Sequence, residues 1–209
     1  MAAMEDVLEV YTRPFDPKRP QVCLDEASKQ LIVETRPSIT MKPGSSKCVD
    51  AEYRRCGTVS IFMVTVPLEG RRYVRVYSQR TAIDFAEVIR ELCDEIYPDA
   101  EKIVLVLDNL NTHTTASLYK AFPAYEARRL SEKLEIHFTP KHGSWLNMAE
   151  IELSILSRQC IDDYFETQSD ISSSIKAWEL TRNESQTGIN WRFTTDDARI
   201  KLKKLYPTI

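Results

Sequence analysis

The chain has 209 residues and a formal net charge of −3 at pH 7, with 43% hydrophobic and 28% charged residues. This composition is typical of a globular domain, and no apolar run approaches the roughly 20 residues that span a bilayer. The acidic balance argues against a free-standing nucleic-acid-binding module, but an enzyme that contacts DNA locally is still compatible with it. The five cysteines form no CxxC pair, so we interpret them as reduced thiols rather than zinc ligands or disulfides: Cys23, Cys48, Cys56, Cys93 and Cys160.

Residues 1–20 are predicted to be a linker, preceded by a short helix at about residues 3–11. The three prolines of TRPFDPKRP forbid a helix interior and favour an extended path. The segment PQVCLDEA then predicts a strand from Gln21 to Leu24 that ends at Asp25. Residues 34–50 are predicted to be irregular.

The middle of the chain predicts a hairpin followed by a crossover. GTVSIFMVTVPLEG (57–70) is rich in β-branched and aromatic residues, and RRYVRVYS (71–78) follows the glycine of the link, as in an antiparallel hairpin. Apolar residues then recur at three- and four-residue intervals, which indicates an amphipathic helix capped by Thr81 and ended by Pro98. A strand at 102–107 follows directly, and this order is typical of a crossover between parallel strands.

The second half predicts helices around one more strand. We expect a helix at about 115–130, a strand at 134–140, and helices at 144–165, 169–182 and 195–205. Ser144 is the predicted N-cap of the helix at 144–165. Taken together, the elements predict an α/β domain over residues 21–209. Its core is a mixed five-stranded sheet flanked by helices, with the hairpin on one side and parallel strands on the other.

Three acids occupy special places in these elements. Asp25 ends the first strand, Asp108 ends the apolar strand IVLVL, and Glu150 lies one to two turns into the helix after the last strand. Ligand sites gather at the carboxyl ends of parallel strands, and three converging carboxylates stay ionised only beside a cation. Oxygen ligands favour Mg²⁺ or Mn²⁺, and two such ions about 3.5–4 Å apart support in-line phosphoryl transfer.

Each acid also has a purely structural interpretation. Asp25 fits a turn at the end of a strand, followed by Glu26 as an exposed acid. Asp108 fits an Asx-turn, and Glu150 fits an exposed helix position. Helix periodicity does not choose between Glu150 and Glu152, which lie about 200° apart around the helix. The residues alone therefore leave metal-dependent phosphoryl transfer as one hypothesis among these.

Polar residues near the acids are candidate DNA or phosphate contacts, although each also fits an ordinary loop, cap or solvated position: His113, Lys141, His142 and Asn147. Asn147 precedes Glu150 by three residues and shares its helix face, so it could orient that carboxylate. Trp145 is predicted to be a core residue rather than a stacking platform for a base.

Three segments resemble the catalytic blocks of the DDE-type transposases of insertion sequences, in the bacterial branch allied to the mariner transposases: VCLDEASK, VLVLDNLNTHT and TPKHGSWLNMAEIELSILSRQC. The resemblance extends from about residue 11 to 207 and is most specific where SWLN precedes AEIE. It implies a ribonuclease H-like fold. It also implies that Asp25, Asp108 and Glu150 are the catalytic metal ligands, which chooses Glu150 over Glu152.

The resemblance further implies a function. The domain is expected to cleave DNA strands by hydrolysis and to transfer them by transesterification, with Mg²⁺ or Mn²⁺, as two ions. Its expected partners are transposon ends and target DNA, a second copy of the chain, and a separate DNA-binding polypeptide, in the bacterial cytoplasm near the nucleoid. Whole transposases of this kind carry a helix-turn-helix module ahead of the catalytic domain, and this chain is expected to lack it.

Two other functions remain open at this stage. The same acids would serve a ribonuclease H-like nuclease that performs no strand transfer. A truncated transposase could instead act as a non-catalytic partner or regulator of a full-length protein. The spacing from Asp108 to Glu150 is longer than in typical mariner enzymes, and the helix-forming stretch AYEARRLSEK (124–133) is expected to accommodate it.

Overall fold

A computed structural model describes residues 1–35 and 52–206 of the chain. They form a mixed five-stranded sheet with strand order β3-β2-β1-β4-β5, which confirms the predicted α/β class. The strands are β1 (Gln21–Glu34), β2 (Tyr53–Val66), β3 (Arg71–Tyr77), β4 (Ile103–Leu107) and β5 (Leu134–Phe138). The predicted irregular segment and Cys48 lie largely or wholly outside the described residues, and the four described cysteines are free thiols.

Helices cover both faces of the sheet. They are α1 (Ala2–Thr12), α2 (Ala82–Glu91), α3 (Thr115–Ala121), α4 (Ala124–Lys133), α5 (Met148–Gln159), α6 (Gln168–Glu184) and α7 (Thr195–Lys201). A π-helical turn at Leu92–Ile96 extends α2, and 3₁₀ turns occur at Ser144–Leu146 and Lys203–Leu205. None of the helices in the described part of the chain is long and apolar enough to cross a bilayer.

The first strand is longer than the sequence predicts. β1 pairs antiparallel with β2 along almost its whole length, but it pairs parallel with β4 only from Gln21 to Cys23. The predicted end at Leu24 is therefore wrong, and Asp25 lies inside β1 rather than after it. Pairing with β2 keeps β1 extended beyond the point where its pairing with β4 ends, and Asp25 lies in this extension.

Successive side chains of a strand point to opposite faces, and the sheet accordingly separates two cores. Leu24 and Leu105 pack in the core under α2, α3 and α4. Cys23 and Val106 pack in the opposite core, under α1, α5, α6 and α7. The alternation places Asp25 on the α5 side and its neighbour Glu26 on the α2 side.

The interpretation of residues 1–20 as a linker is wrong for their first half. The short helix expected there is present as α1, and it is part of the core because one of its faces is fully covered. The buried residues of α1 are Met4, Val7, Leu8 and Val10. Residues 13–20 alone form a connection without helix or strand.

Helix boundaries differ from prediction where the chain contains proline or an alternative cap. The helix expected at 115–130 is divided into α3 and α4, with Pro123 at the start of α4. The helix expected at 144–165 begins as a 3₁₀ turn, and its N-cap is Asn147 rather than Ser144. The predicted Thr81 cap of α2 is confirmed as a capping box with Asp84.

A buried ion pair sets the rotation of α5 about its axis. Glu152 lies 2.6 Å from Arg72 of β3, and both side chains are 1% exposed. Arg182 of α6 approaches the same carboxylate at 3.3 Å. Because Glu150 and Glu152 lie about 200° apart, burial of Glu152 turns Glu150 away from this core.

Replacing Glu152 should therefore destabilise the protein much more than replacing Glu150. We expect Glu152→Gln to lower the free energy of unfolding by about 3 kcal/mol or more, because it leaves the Arg72 guanidinium buried without its counter-charge. Glu150→Gln should change it by less than about 1 kcal/mol. Urea denaturation in EDTA measures both, and equal small effects would contradict the structural role of Glu152.

Candidate active site

The first predicted acid, Asp25, is largely buried where β1 extends beyond β4. Asp25 is 7% exposed, and the backbone N–H of Glu26 donates to Asp25 Oδ1 at 2.9 Å. Burial raises the pKa of the Asp25 carboxyl from 3.8 to about 7; the hydrogen bond from Glu26 opposes this, and repulsion from Glu150 and Asp108 adds to it. Asp108 and Glu150 thus lie close enough to Asp25 to disfavour its negative charge.

The second acid, Asp108, directly follows β4 and is bound to His113. Asp108 Oδ1 lies 2.5 Å from His113 Nδ1, while the whole side chain is 33% exposed. His113 Nδ1 makes its hydrogen bond to the main-chain oxygen of Asp108, at a distance of 3.2 Å. Asp108 Oδ1 is buried and accepts no hydrogen bond of good geometry from the described residues. We therefore interpret the contact between Oδ1 and His113 as an ion pair.

The third acid, Glu150, is partly exposed in the first turn of α5. The start of that helix is attached to β1 through Asn147, whose Nδ2 donates to the Leu24 oxygen at 2.7 Å. The Oδ1 of Asn147 accepts from the backbone N–H of Ala149 at 3.1 Å. Asn147 is fully buried, which does not favour its prediction as a DNA contact. It instead fixes the helix that carries Glu150 beside the strand that carries Asp25.

His113 is also buried, which does not favour its prediction as a DNA contact. Its side chain is 0% exposed, and its Nε2 lies 2.6 Å from Glu26 Oε1, a carboxylate that is itself 2% exposed. Burial lowers the pKa of His113, but the contacts with Asp108 and Glu26 outweigh it and raise that pKa to about 9. The sequence interpretation took Glu26 for an exposed acid. Its position directly after Asp25 on a strand was the signal that it points to the other face.

The remaining predicted contacts, Lys141 and His142, are exposed beside Asp108. They line a cavity of about 320 Å³ together with Asp108, Asn109, Thr139, Pro140 and Ser144. His142 has a φ of 63°, and a Cβ at Gly143 would lie 2.6 Å from the Pro140 ring, so this loop holds a narrowly defined shape. Contact of these two side chains with phosphate stays a prediction.

Trp145 is not a core residue, contrary to prediction. It is 47% exposed, and it stacks on Trp191 with ring centroids 6.5 Å apart. It lines a second cleft, of about 460 Å³, together with Ser144, Glu150, Ile151, Ser154 and Arg158. The aromatic partner that holds Trp145 at the surface lies 46 positions later in the sequence, so no local pattern reveals it.

Comparison with known proteins adds the family. Residues 20–172 match the family model described as DDE superfamily endonuclease, which is well over half of the chain. The chain belongs to this family. A comparison with curated proteins finds no significant match.

The fold of this DDE endonuclease is similar to that of Mos1 transposase. The Mos1 mariner paired-end complex with Mn and the Mos1 strand transfer complex both match with a TM-score of 0.60, at 14% and 13% identity. A pre-cleavage Mos1 transpososome matches with a TM-score of 0.55 at 13% identity. The matches cover 89%, 89% and 91% of this chain but 55%, 55% and 62% of the others. The predicted ribonuclease H-like fold is confirmed.

The residues present suit a hard divalent cation. Within the described ranges, three ligand-type atoms within 4.8 Å of one another occur in Glu26, Asp108 and His113. The two nitrogens of that imidazole already face carboxylates on opposite edges of the ring, so this group is an ion-paired cluster. The oxygen ligands of Asp25, Asp108 and Glu150 fit Mg²⁺ or Mn²⁺ better. They do not meet the same 4.8 Å spacing, so a cation shared by all three would draw them together.

Removing the Asp25 charge should stabilise the metal-free DDE endonuclease at high pH. Because the pKa of Asp25 is raised to about 7, the folded state opposes ionisation, and its stability falls as pH rises from about 4 to about 7. We expect Asp25→Asn to be more stable than the unmodified protein by roughly 2–4 kcal/mol at pH 8.

The advantage of Asp25→Asn should vanish near pH 4, where the carboxyl is protonated in both the folded and the unfolded state. Urea denaturation in EDTA across this pH range measures the difference. Glu95→Gln, at an exposed acid of the π-helical turn, is the matched control and should show no such trend. A variant that is less stable than the unmodified protein at pH 8 would contradict the electrostatic account.

Proposed function

We propose that this DDE endonuclease is the catalytic domain of a transposase that cuts DNA and joins the cut end to target DNA. Asp25, Asp108 and Glu150 would hold two Mg²⁺ or Mn²⁺ ions. The observation that carries the proposal is that Asp25 is buried and that the charges of Asp108 and Glu150 disfavour its ionisation. Such a cluster is stabilised by a divalent cation, and one of the similar structures is a complex with Mn.

Each acid contributes from a different element. Asp25 lies on β1 beyond the end of β4, Asp108 directly follows β4, and Glu150 lies in the first turn of α5. When bound, the ions supply an activated oxygen nucleophile and neutralise charge on the phosphate. The sequence of reactions is hydrolysis of a phosphodiester, which leaves a 3′-hydroxyl, and then transesterification of that hydroxyl onto target DNA.

Exposed lysine, histidine and arginine side chains near the acids support DNA as the substrate. Lys141 and His142 are exposed beside Asp108, and Arg158 lines the cleft that contains Glu150. Lysine and arginine near an acidic metal site attract the phosphate backbone. The net charge of −3 disfavours strong overall attraction to DNA, and we propose that a separate DNA-binding polypeptide recognises the transposon ends.

Assembly is proposed by analogy with the similar structures. One of them is a paired-end complex, and we infer that two copies of this chain likewise act together on two transposon ends. The work would take place in the bacterial cytoplasm, on the nucleoid. The chain spans 55–62% of the Mos1 chains compared, so the activity of the whole assembly belongs to this proposal.

Removing any one of the three acids should abolish metal-dependent nicking of supercoiled plasmid DNA. We expect Asp25→Asn, Asp108→Asn and Glu150→Gln each to lower the nicking rate on the order of 100-fold or more. Glu95→Gln should nick like the unmodified protein. Mn²⁺ at 100 times its dissociation constant should stabilise the unmodified protein by about 2.7 kcal/mol, and Asp108→Asn should lose most of this stabilisation.

The products decide between the proposal and its alternatives. A labelled oligonucleotide with a free 3′-hydroxyl should become joined to plasmid DNA if the protein is a transposase. Nicking without joining would favour a nuclease without strand transfer. Nicking by Asp108→Asn at the unmodified rate would refute the metal site. Mn²⁺ that stabilises neither protein, with no nicking, would favour a non-catalytic partner.

A further inference from the structure

Two buried ionisable residues beside the acids have no part in the proposed chemistry. Glu26 follows Asp25 in β1, but strand alternation directs its side chain to the opposite face, where it is 2% exposed. His113 ends the loop after β4 and is 0% exposed. Ionisable side chains are rarely buried so fully without a specific partner. Here Glu26 pairs with His113, and His113 in turn pairs with Asp108.

The imidazole of His113 is held from several directions. Its Nε2 lies 2.6 Å from Glu26 Oε1, its Nδ1 lies 2.5 Å from Asp108 Oδ1, and the Phe85 ring packs with centroids 4.9 Å apart. The backbone N–H of His113 also donates to the Leu110 oxygen at 3.0 Å. The ring therefore cannot rotate without breaking a contact with one of the carboxylates.

This arrangement makes the two oxygens of Asp108 unequal. Oδ1 is buried against the imidazole, yet a third of the side chain is exposed, so the exposed part of the carboxylate is Oδ2. A free aspartate could rotate about χ2 and turn away from Asp25 and Glu150. The contact with His113 opposes that rotation.

We propose that Glu26 and His113 are positioning residues that hold Asp108 by one oxygen, so that its other oxygen is presented to the divalent cations. Glu26 acts through His113: its carboxylate fixes the far edge of the ring. The inference rests on the proposed metal site. Partners of this kind, which orient a ligand without touching the metal, typically change metal affinity by about 10–100-fold.

Two amide substitutions of His113 can distinguish the contact of Nδ1 with Asp108 from the contact of Nε2 with Glu26. In His113→Asn the amide nitrogen occupies the place of Nδ1 and can still donate to Asp108. In His113→Gln the amide nitrogen occupies the place of Nε2 and can donate only to Glu26. We expect His113→Gln to weaken Mn²⁺ binding about 10-fold or more. His113→Asn should keep most of the affinity of the unmodified protein.

The measurement is the electron paramagnetic resonance signal of free Mn²⁺, titrated with each folded protein at 10 °C. Nicking is followed in parallel as a function of Mn²⁺ concentration. For His113→Gln, the concentration that gives half the maximal rate should rise, while the rate at saturating Mn²⁺ should recover. Glu26→Gln keeps an acceptor but loses the charge, and it should weaken binding in the same direction by a smaller factor.

Loss of stability alone must not produce this result. Leu130→Ala, at a fully buried position of α4 in the same core, should lower the melting temperature and leave Mn²⁺ affinity unchanged. Equal Mn²⁺ affinity in the unmodified protein, His113→Gln and Glu26→Gln would overturn the positioning role. If His113→Gln does not fold, the Glu26→Gln titration decides.

Failure of the proposed function has a different signature. If Asp108→Asn binds Mn²⁺ as well as the unmodified protein does, the metal site itself is absent and the positioning role falls with it. If Asp108→Asn loses binding while the His113 and Glu26 variants do not, only the positioning role is wrong. Equal loss in His113→Asn and His113→Gln would also overturn it, because the two substitutions preserve different contacts.

Discussion

Repulsion of the buried Asp25 carboxylate by Asp108 and Glu150 is the constraint on which the rest of the site depends. Asp25 is buried at 7% exposure, so it cannot use water to screen the charges of Asp108 and Glu150 as an exposed acid would. Such an arrangement is unfavourable without a cation, and the fold must hold it in place by other contacts. The neighbouring buried interactions have this effect on α5 and on the loop after β4.

Three buried contacts hold the acids in place. The ion pair of Glu152 with Arg72 sets the rotation of α5, and the amide of Asn147 attaches the same helix to Leu24, one residue before Asp25. His113 holds the loop after β4 through its contacts with Glu26 and Asp108. Because all three are buried, water competes with them little, and they can oppose the repulsion at the rim.

The similarity to Mos1 at 13–14% identity is consistent with this division of roles. A sheet of this order needs only apolar residues of suitable size at alternating strand positions and along one face of each helix, and many sequences meet that requirement. The acids need particular side chains at particular places. Function is therefore argued from the site and its family, and the fold only provides the frame.

The sequence by itself determined the sheet class, the crossover and the Thr81 cap, and it offered three acids as candidates, because strand and helix periodicity and short motifs are local patterns. It could not decide the length of β1 past Leu24, because pairing with β2 maintains that strand. It also could not decide that His113 and Asn147 are buried or that Trp145 is exposed. Tertiary structure alone decided these, since the partners of each residue come from distant parts of the chain, and burial depends on which surfaces those partners cover.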